Sequence, residues 1–110
     1  MVVEWTPNAT EDLAAIWKYY SLKSVRAAAG IVGNIRVAVL SLADFPEMTP
    51  VDPLLTRFAA GYRSLVVRRT YKVVYKIENG RVYIMEIFDC RRNPAELRMG
   101  VMKDRTTKWK

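Results

Sequence analysis

The chain has no histidine and only one cysteine, Cys90, among its 110 residues. An intrachain disulfide is therefore impossible, which favours a reducing compartment. Zinc and most transition metals would find almost none of their usual ligands, so we expect no metal and no other cofactor. Catalysis by a Ser-His-Asp or Cys-His system is excluded, because each of these systems requires a histidine.

Signals for export or membrane insertion are also missing from the sequence. The N-terminus, MVVEWTPNATEDL, has no basic segment followed by an apolar core, so it does not have the pattern of a signal peptide. The longest stretch with little charge, residues 27–43, is interrupted by Asn34, Arg36 and two glycines, and it falls short of a membrane span. We therefore expect a soluble cytoplasmic protein.

Positive charge is abundant, but it is concentrated in the second half of the chain. Residues 1–50 contain 4 basic and 5 acidic residues, whereas residues 51–110 contain 14 basic and 6 acidic residues, for a net charge of +7 overall. This asymmetry favours a polyanion or an acidic protein as a partner, although a basic surface is also common in soluble domains. Apolar residues make up 51% of the chain, which is enough for one domain with its own hydrophobic core.

The first half of the chain is predicted to form a short strand followed by two helices. The strand spans Val2–Trp5. Thr6 and Pro7 then predict a helix start, with Thr6 as the N-cap and Pro7 in the first helical position. A longer helix is predicted near Ser24–Asp44, because its apolar residues recur at steps of three and four.

The two helices are predicted to pair as an antiparallel hairpin. Gly30 and Gly33 are small enough to let the other helix approach closely. Several apolar side chains are most simply interpreted as the core of this hairpin. They are Leu13, Trp17, Ile35, Val39 and Leu42.

The second half is rich in predicted strands. These are Tyr62–Val67, Tyr71–Glu78 and Arg81–Asp89, joined by a turn at residues 68–70 and by a strong hairpin signal at Asn79-Gly80. Alternation in the middle strand directs one face toward the helices. The other face carries Lys72, Val74, Lys76 and Glu78, and we expect it to be more open to water.

The last predicted element is a short helix. Asn93 fits its cap and Pro94 its first position, and the helix would end near Met102. The sequence thus predicts an α+β fold of order β-α-α-β-β-β-α, with a small antiparallel sheet and the helical hairpin packed on one face. Residues 1–102 would form a single domain, and residues 103–110 a basic tail.

Four stretches carry a resemblance to a known family. They are Trp5–Ala9 (WTPNA), Leu42–Pro46 (LADFP), Gly61–Leu65 followed by Tyr71–Tyr75 (GYRSL, YKVVY), and Val82–Phe88 running into Arg91-Arg92-Asn93-Pro94. In their order and spacing, the chain resembles the RelE/ParE superfamily of bacterial type II toxin–antitoxin systems.

The resemblance implies a toxin that a cognate antitoxin neutralises. RelE-like members cleave mRNA in the ribosome, whereas ParE-like members inhibit DNA gyrase and are not nucleases. An alternative is a non-toxic binding module with the same fold, which would act only in a complex with its antitoxin at operator DNA.

If the chain is a nuclease, Arg63, Lys72 and Arg91 are the candidate catalytic residues. Attack by a 2′-hydroxyl needs cations that stabilise the pentavalent phosphate, together with a group that transfers protons. Lys72 is the only candidate for the second task, because a lysine beside other cations can have its pKa lowered. The position where RelE-like nucleases carry a functional tyrosine falls near Leu97, which cannot transfer a proton.

The candidate nucleic-acid-binding residues are Arg68, Arg69, Arg92 and Arg98. Arg68 and Arg69 are more simply interpreted as a solvated turn, with a contact to RNA or DNA as the alternative. Arg91 and Arg92 are interpreted either as phosphate contacts or as a solvated corner in which Arg91 pairs with Asp89. Cys90 has a basic neighbour that would lower its thiol pKa, but no general base adjoins it, so we expect no catalytic function.

An antitoxin would need a partly exposed apolar surface on the helices. Ile31, Val37 and Leu40 do not all fit on the core stripe of the second helix. Together with Trp17, they are the candidate antitoxin-binding residues.

Overall fold

The computed structural model describes residues 1–55, 61–93 and 96–97. Within these residues, four strands and two helices follow one another in the predicted order. They are β1 (Val2–Trp5), α1 (Pro7–Ser21), α2 (Val25–Asp44), β2 (Arg63–Val67), β3 (Tyr71–Glu78) and β4 (Arg81–Asp89). The predicted α+β architecture is confirmed, while the predicted C-terminal helix and basic tail lie almost entirely outside the described residues.

The four strands form one sheet in the order β1-β4-β3-β2. The pairs β2–β3 and β3–β4 are antiparallel, but β1 runs parallel to β4, with Val2 opposite Arg81 and Trp5 opposite Ile84. The prediction of a purely antiparallel sheet is therefore wrong. No hairpin joins β1 to β4, so no tight turn forces their directions to be opposite.

Both helices begin at a capping residue, of which Thr6 was predicted as a cap and Ser24 only as the approximate start of the second helix. Thr6 Oγ1 accepts a hydrogen bond from the Ala9 N–H at 3.4 Å, and Ser24 Oγ accepts one from the Ala27 N–H at 3.1 Å. Thr6 Oγ1 also donates to the carbonyl of Ile84 at 2.7 Å. The start of α1 is thereby fixed to the middle of β4.

The main core lies between the helices and one face of the sheet. Ile35 and Leu42 of α2 are fully buried against a sheet face that includes Val73 and Ile84. A β-carbon on Gly30 or Gly33 would meet nothing within 4 Å, so the predicted close helix approach at these glycines is wrong.

The helix α2 is long and apolar enough to cross a membrane by length and composition alone, so the prediction that residues 27–43 fall short of a membrane span is wrong by that test. A core helix of a soluble protein passes the same test. Here one face of α2 is part of the main core, through Ala28, Ile31, Val32, Ile35, Val39 and Leu42.

A second, smaller core covers part of the opposite sheet face. Leu55, Tyr62, Val74 and Met85 are buried together there. An irregularity in the β3–β4 register pairs Val74 with Glu86 and Tyr75 with Ile84, so that Met85 is an extra residue in β4. The prediction that Val74 is open to water is wrong, because the chain before β2 folds over this face.

Candidate functional site

Lys72 lies on the sheet face that carries the second core, and its charge is balanced within the fold. Its Nζ is 3.2 Å from Oδ2 of Asp52, and the two side chains are only 18% and 10% exposed. The same carboxylate accepts hydrogen bonds from Ser64 Oγ at 2.6 Å and from the Leu54 N–H at 2.9 Å. Burial alone would raise the pKa of Asp52, but these donors and the Lys72 cation lower it overall.

Arg63 belongs to a different network, on the side of the sheet that faces the helices. It lies opposite Tyr75, and its guanidinium donates to the carbonyl of Thr49. The Thr49 hydroxyl is 2.8 Å from the Tyr75 hydroxyl, which in turn donates to the carbonyl of Pro46 at 2.9 Å. Arg63 therefore helps to hold the connection that follows α2.

Arg91 is located just beyond the end of β4, where it forms a two-pronged ion pair with Asp89. Its Nε lies 3.0 Å from Oδ1 and its Nη2 lies 2.7 Å from Oδ2 of that carboxylate. These hydrogen bonds lower the pKa of Asp89 despite partial burial. The solvated-corner interpretation, in which Arg91 pairs with Asp89, describes this geometry.

Two tyrosines adjoin Arg91 and differ in their acidity. The Tyr71 hydroxyl donates to the Tyr20 oxygen at 3.4 Å, and Arg91 Nη2 donates to the same oxygen at 3.5 Å. These two donors lower the pKa of Tyr20, whereas burial and the bond to Tyr20 raise the pKa of Tyr71. Both tyrosines line a cleft of about 670 Å³ between α1 and the sheet.

The structure does not bring the three candidate catalytic residues together. Arg63 and Lys72 are on opposite faces of the sheet, because Arg63 is opposite Tyr75 and Lys72 is opposite Val66. Arg91 follows Asp89, which pairs with Tyr71 at the other end of β3. These three side chains therefore do not share one face of the sheet.

Three of the four candidate nucleic-acid-binding arginines lie around one end of the sheet. Arg68 and Arg69 form the β2–β3 turn, and Arg68 Nη1 donates to Asn34 Oδ1 at 2.6 Å. Arg92 pairs with Glu96 at 2.6 Å and lies over the ring of Phe88. Arg98 lies outside the described residues.

The candidate antitoxin-binding residues divide into exposed and buried positions. Trp17, Val37 and Leu40 are exposed, so the prediction that Trp17 belongs to the core is wrong. Ile31 is only 8% exposed and packs in the main core. Its predicted place on an exposed stripe is wrong, because α2 turns this position toward the sheet.

A smaller cleft of about 340 Å³ adjoins Leu40. Its walls come from the edge strand β1 and from both helices. The lining residues are Val3, Trp5, Thr10, Leu13, Arg36, Val39 and Leu40.

Sequence reasoning missed Asp52, Ser64 and Tyr20. Asp52 is placed between two prolines in PVDP, a pattern that predicts only an irregular connection. Tyr20 fits the apolar stripe of α1 and was therefore interpreted only as an apolar residue. Its hydroxyl is the signal that could have identified it, because a buried tyrosine hydroxyl usually has a hydrogen-bond partner. The predicted lowering of the Cys90 pKa is also wrong, since local desolvation raises the pKa of that thiol.

The fold and its side-chain networks can be set beside known proteins. The sequence profile of the family described as "ParE toxin of type II toxin-antitoxin system, parDE" matches residues 3–94. The chain belongs to this family. It is a toxin of a type II toxin–antitoxin system, and membership implies a cognate antitoxin as its partner.

One relative and one solved structure agree with this assignment. The toxin is 34% identical over 85 residues to "Toxin RelE2" of Caulobacter vibrioides, covering 77% of this chain and 90% of that protein. It also resembles the structure "Chromosomal ParDE TA system from P. aeruginosa", with a TM-score of 0.69 and 23% identity over 81% of this chain and 95% of that chain. At that identity the structural match shows the shared fold.

Proposed function

We propose that the toxin acts on DNA gyrase as a stoichiometric inhibitor and does not cleave RNA. The observation that carries this proposal is the ion pair between Lys72 and Asp52 at 3.2 Å. An RNA-cleaving site requires cations and a proton-transfer group gathered around one phosphate. Lys72, the lysine predicted for proton transfer, is instead paired with Asp52 inside the fold, and Arg63 is turned to the other face of the sheet.

Two further points support a binding mechanism. The matching family profile is named for ParE, and the resemblance to ParE-like members implies inhibition of gyrase. An inhibitor that acts by binding needs an exposed surface of suitable charge and not a catalytic constellation.

The test compares purified toxin in two assays. In a gyrase supercoiling assay, we expect inhibition that depends on the ratio of toxin to gyrase and that saturates. In an in vitro translation reaction with ribosomes and added toxin, we expect the mRNA to remain full-length. A variant with Lys72→Met and Asp52→Asn removes the ion pair and should still inhibit gyrase. Truncated message with undisturbed supercoiling would contradict the proposal.

Ribosome-dependent mRNA cleavage is the second candidate, and one observation favours it. The Tyr20 hydroxyl has a lowered pKa and lies 3.5 Å from Arg91 Nη2 at the rim of a cleft. A proton-transfer group beside a cation is the pairing that such cleavage needs. Under this mechanism, Tyr20→Phe would abolish message cleavage. Under gyrase inhibition, the same variant should remain toxic.

We also propose where the antitoxin binds. Trp17, Val37 and Leu40 are large apolar side chains exposed on α1 and α2, and they suit the apolar face of an antitoxin segment. Hydrogen exchange of the toxin with and without its antitoxin tests this surface, and unchanged exchange along both helices would exclude it.

Both proposed targets are in the cytoplasm, and we place the toxin there.

A further inference from the structure

The tip of the β2–β3 hairpin, defined here as residues 68–70, holds two consecutive arginines in an unusual backbone conformation. Arg68 has a φ of 56° and Arg69 a φ of 60°. The Thr70 N–H donates to the carbonyl of Val67 at 3.2 Å and closes the turn. Positive φ at both central positions is typical of a type I′ turn, which favours asparagine and glycine.

Arginine therefore weakens this turn instead of stabilising it. Its β-carbon is crowded in the left-handed region, where only glycine and, to a lesser degree, asparagine and aspartate are readily accommodated. Backbone strain of this kind clusters at functional sites. Because arginine has no conformational advantage at either position, what it adds to the tip is a long, charged side chain.

That charge is available to a partner. Arg68 and Arg69 are both exposed, and neither forms a salt bridge with a described residue. Arg68 is bonded to the amide oxygen of Asn34 at 2.6 Å. A neutral amide orients the guanidinium without cancelling its charge.

The surroundings of the tip leave its charge uncompensated. The Cys90 N–H donates to the carbonyl of Thr70 at 2.7 Å, so residues 90–92 lie beside the tip. The carboxylates of Asp89 and Glu96 are already paired, with Arg91 and Arg92 respectively. Among the described residues, the surplus positive charge at this end of the sheet therefore comes from the tip.

We propose that the tip binds the phosphate backbone of double-stranded DNA through Arg68 and Arg69. A guanidinium matches the oxygens of a phosphate with two parallel hydrogen bonds. Contacts of this kind position a protein on DNA without reading its sequence, and they weaken steeply with salt. The choice of DNA as the nucleic acid rests on the proposed action at gyrase, whose substrate is DNA.

The experiment measures binding of the full-length toxin, freed from its antitoxin, to a short labelled DNA duplex at several salt concentrations. The test variant carries Arg68→Asn and Arg69→Gly, a pair that fits the turn and so retains the hairpin. We expect its affinity at low salt to fall about tenfold and its salt slope to decrease by about 2. A variant with Arg68→Lys and Arg69→Lys keeps the charge and should retain most of the affinity.

A matched control removes the same charge elsewhere. Arg36→Gln with Arg81→Gln alters two exposed arginines away from the tip, of which Arg81 is paired with Glu4 at 3.4 Å, and this double variant should bind DNA nearly as tightly as the wild type. An equal loss in both double variants would overturn the proposal, because net charge alone would explain it. Tighter binding to single-stranded RNA than to the duplex would overturn the assignment to DNA.

Two further outcomes separate this proposal from the proposed function. Gyrase inhibition by a toxin whose DNA affinity is unaffected by the tip substitutions would overturn the DNA contact and leave the proposed function standing. DNA binding that depends on the tip, in a toxin that never inhibits gyrase, would do the reverse. Protection of the Arg68 and Arg69 amides by the antitoxin, with no loss of DNA affinity in the tip variant, would assign the tip to the antitoxin instead.

Discussion

Two hairpin turns at opposite ends of the same sheet share one backbone geometry but are built from very different residues. Both turns place two consecutive residues at positive φ. The β3–β4 turn uses Asn79 and Gly80, which suit that conformation, whereas the β2–β3 turn uses Arg68 and Arg69, which do not. The comparison indicates that the residues of the β3–β4 turn favour stability, whereas the β2–β3 turn carries charge at some cost in stability.

Replacing Asn79 and Gly80 of the β3–β4 turn with arginines should produce the largest change in the free energy of unfolding. A variant with Asn79→Arg and Gly80→Arg places two bulky side chains in the left-handed region, so we expect the free energy of unfolding to fall by about 3 kcal/mol. Urea denaturation followed by circular dichroism measures this loss. Asn79→Asp keeps a favourable turn pair and should be nearly neutral. A double arginine variant as stable as the wild type would show that positive φ is not the source of the difference.

The next largest effect on stability is expected from breaking the ion pair between Lys72 and Asp52, which balances the charge of Lys72 inside the fold. Asp52→Ala leaves the partly buried Lys72 and the Ser64 hydroxyl without their acceptor. We expect the free energy of unfolding at pH 7 to fall by about 2 kcal/mol. Asp44→Ala removes an exposed carboxylate and is the control for lost negative charge.

The effect of Asp52 should also depend on pH. Its pKa is lowered in the folded state, so the unfolded chain binds the proton more tightly. The stabilisation from Asp52 is complete above its ordinary pKa of about 3.9 and is lost as the pH falls through the lowered value. Urea titrations at neutral and acidic pH should therefore show a shrinking gap between wild type and Asp52→Ala. A gap that stays constant would contradict the lowered pKa.

Repairing the strained turn should have a smaller effect of opposite sign. Arg68→Asn with Arg69→Gly gives the β2–β3 turn the residues of the other turn, and we expect a gain of about 1 kcal/mol. The hydrogen bond from Arg68 to Asn34 is lost in the same change. A shift of the urea midpoint to higher concentration measures the gain, and an unchanged midpoint would mean that this bond offsets the strain.

The smallest change in stability is expected at a glycine that lies outside any turn, and it can be compared with the change at Gly80 in the β3–β4 turn. Gly33 lies inside α2, and a β-carbon there would meet nothing within 4 Å. Gly33→Ala should therefore raise the free energy of unfolding by roughly 0.5–1 kcal/mol. Gly80→Ala should lower it, because φ at Gly80 is 74°. Thermal melts of both variants provide the test, and a loss of stability in Gly33→Ala would contradict it.

Features encoded by neighbouring residues were the ones that the sequence predicted well. Thr6 and Pro7 predicted the start of α1, and Asn79-Gly80 predicted a hairpin, because a cap or a turn is completed within a few residues. The parallel pairing of β1 with β4 was missed, since strand direction depends on the path of the whole chain.

The candidate site was harder to predict for the same reason. The ion pair between Lys72 and Asp52 joins residues that no local pattern connects. The irregularity in the β3–β4 register, which turns Met85 onto the second core, is equally invisible in simple alternation. Arg68 and Arg69 were recognised as a turn, but only the backbone angles reveal that the turn is strained.

The pairing of β1 with β4 also bears on when the toxin becomes complete. Val2 is opposite Arg81, so β1 has no neighbour in the sheet until β4 has been synthesised. Such distant contacts raise the entropic cost of closing the sheet and slow folding. The four-stranded sheet can therefore form only after β4 has been synthesised. A partner that recognises the completed sheet can therefore bind the toxin only after that point.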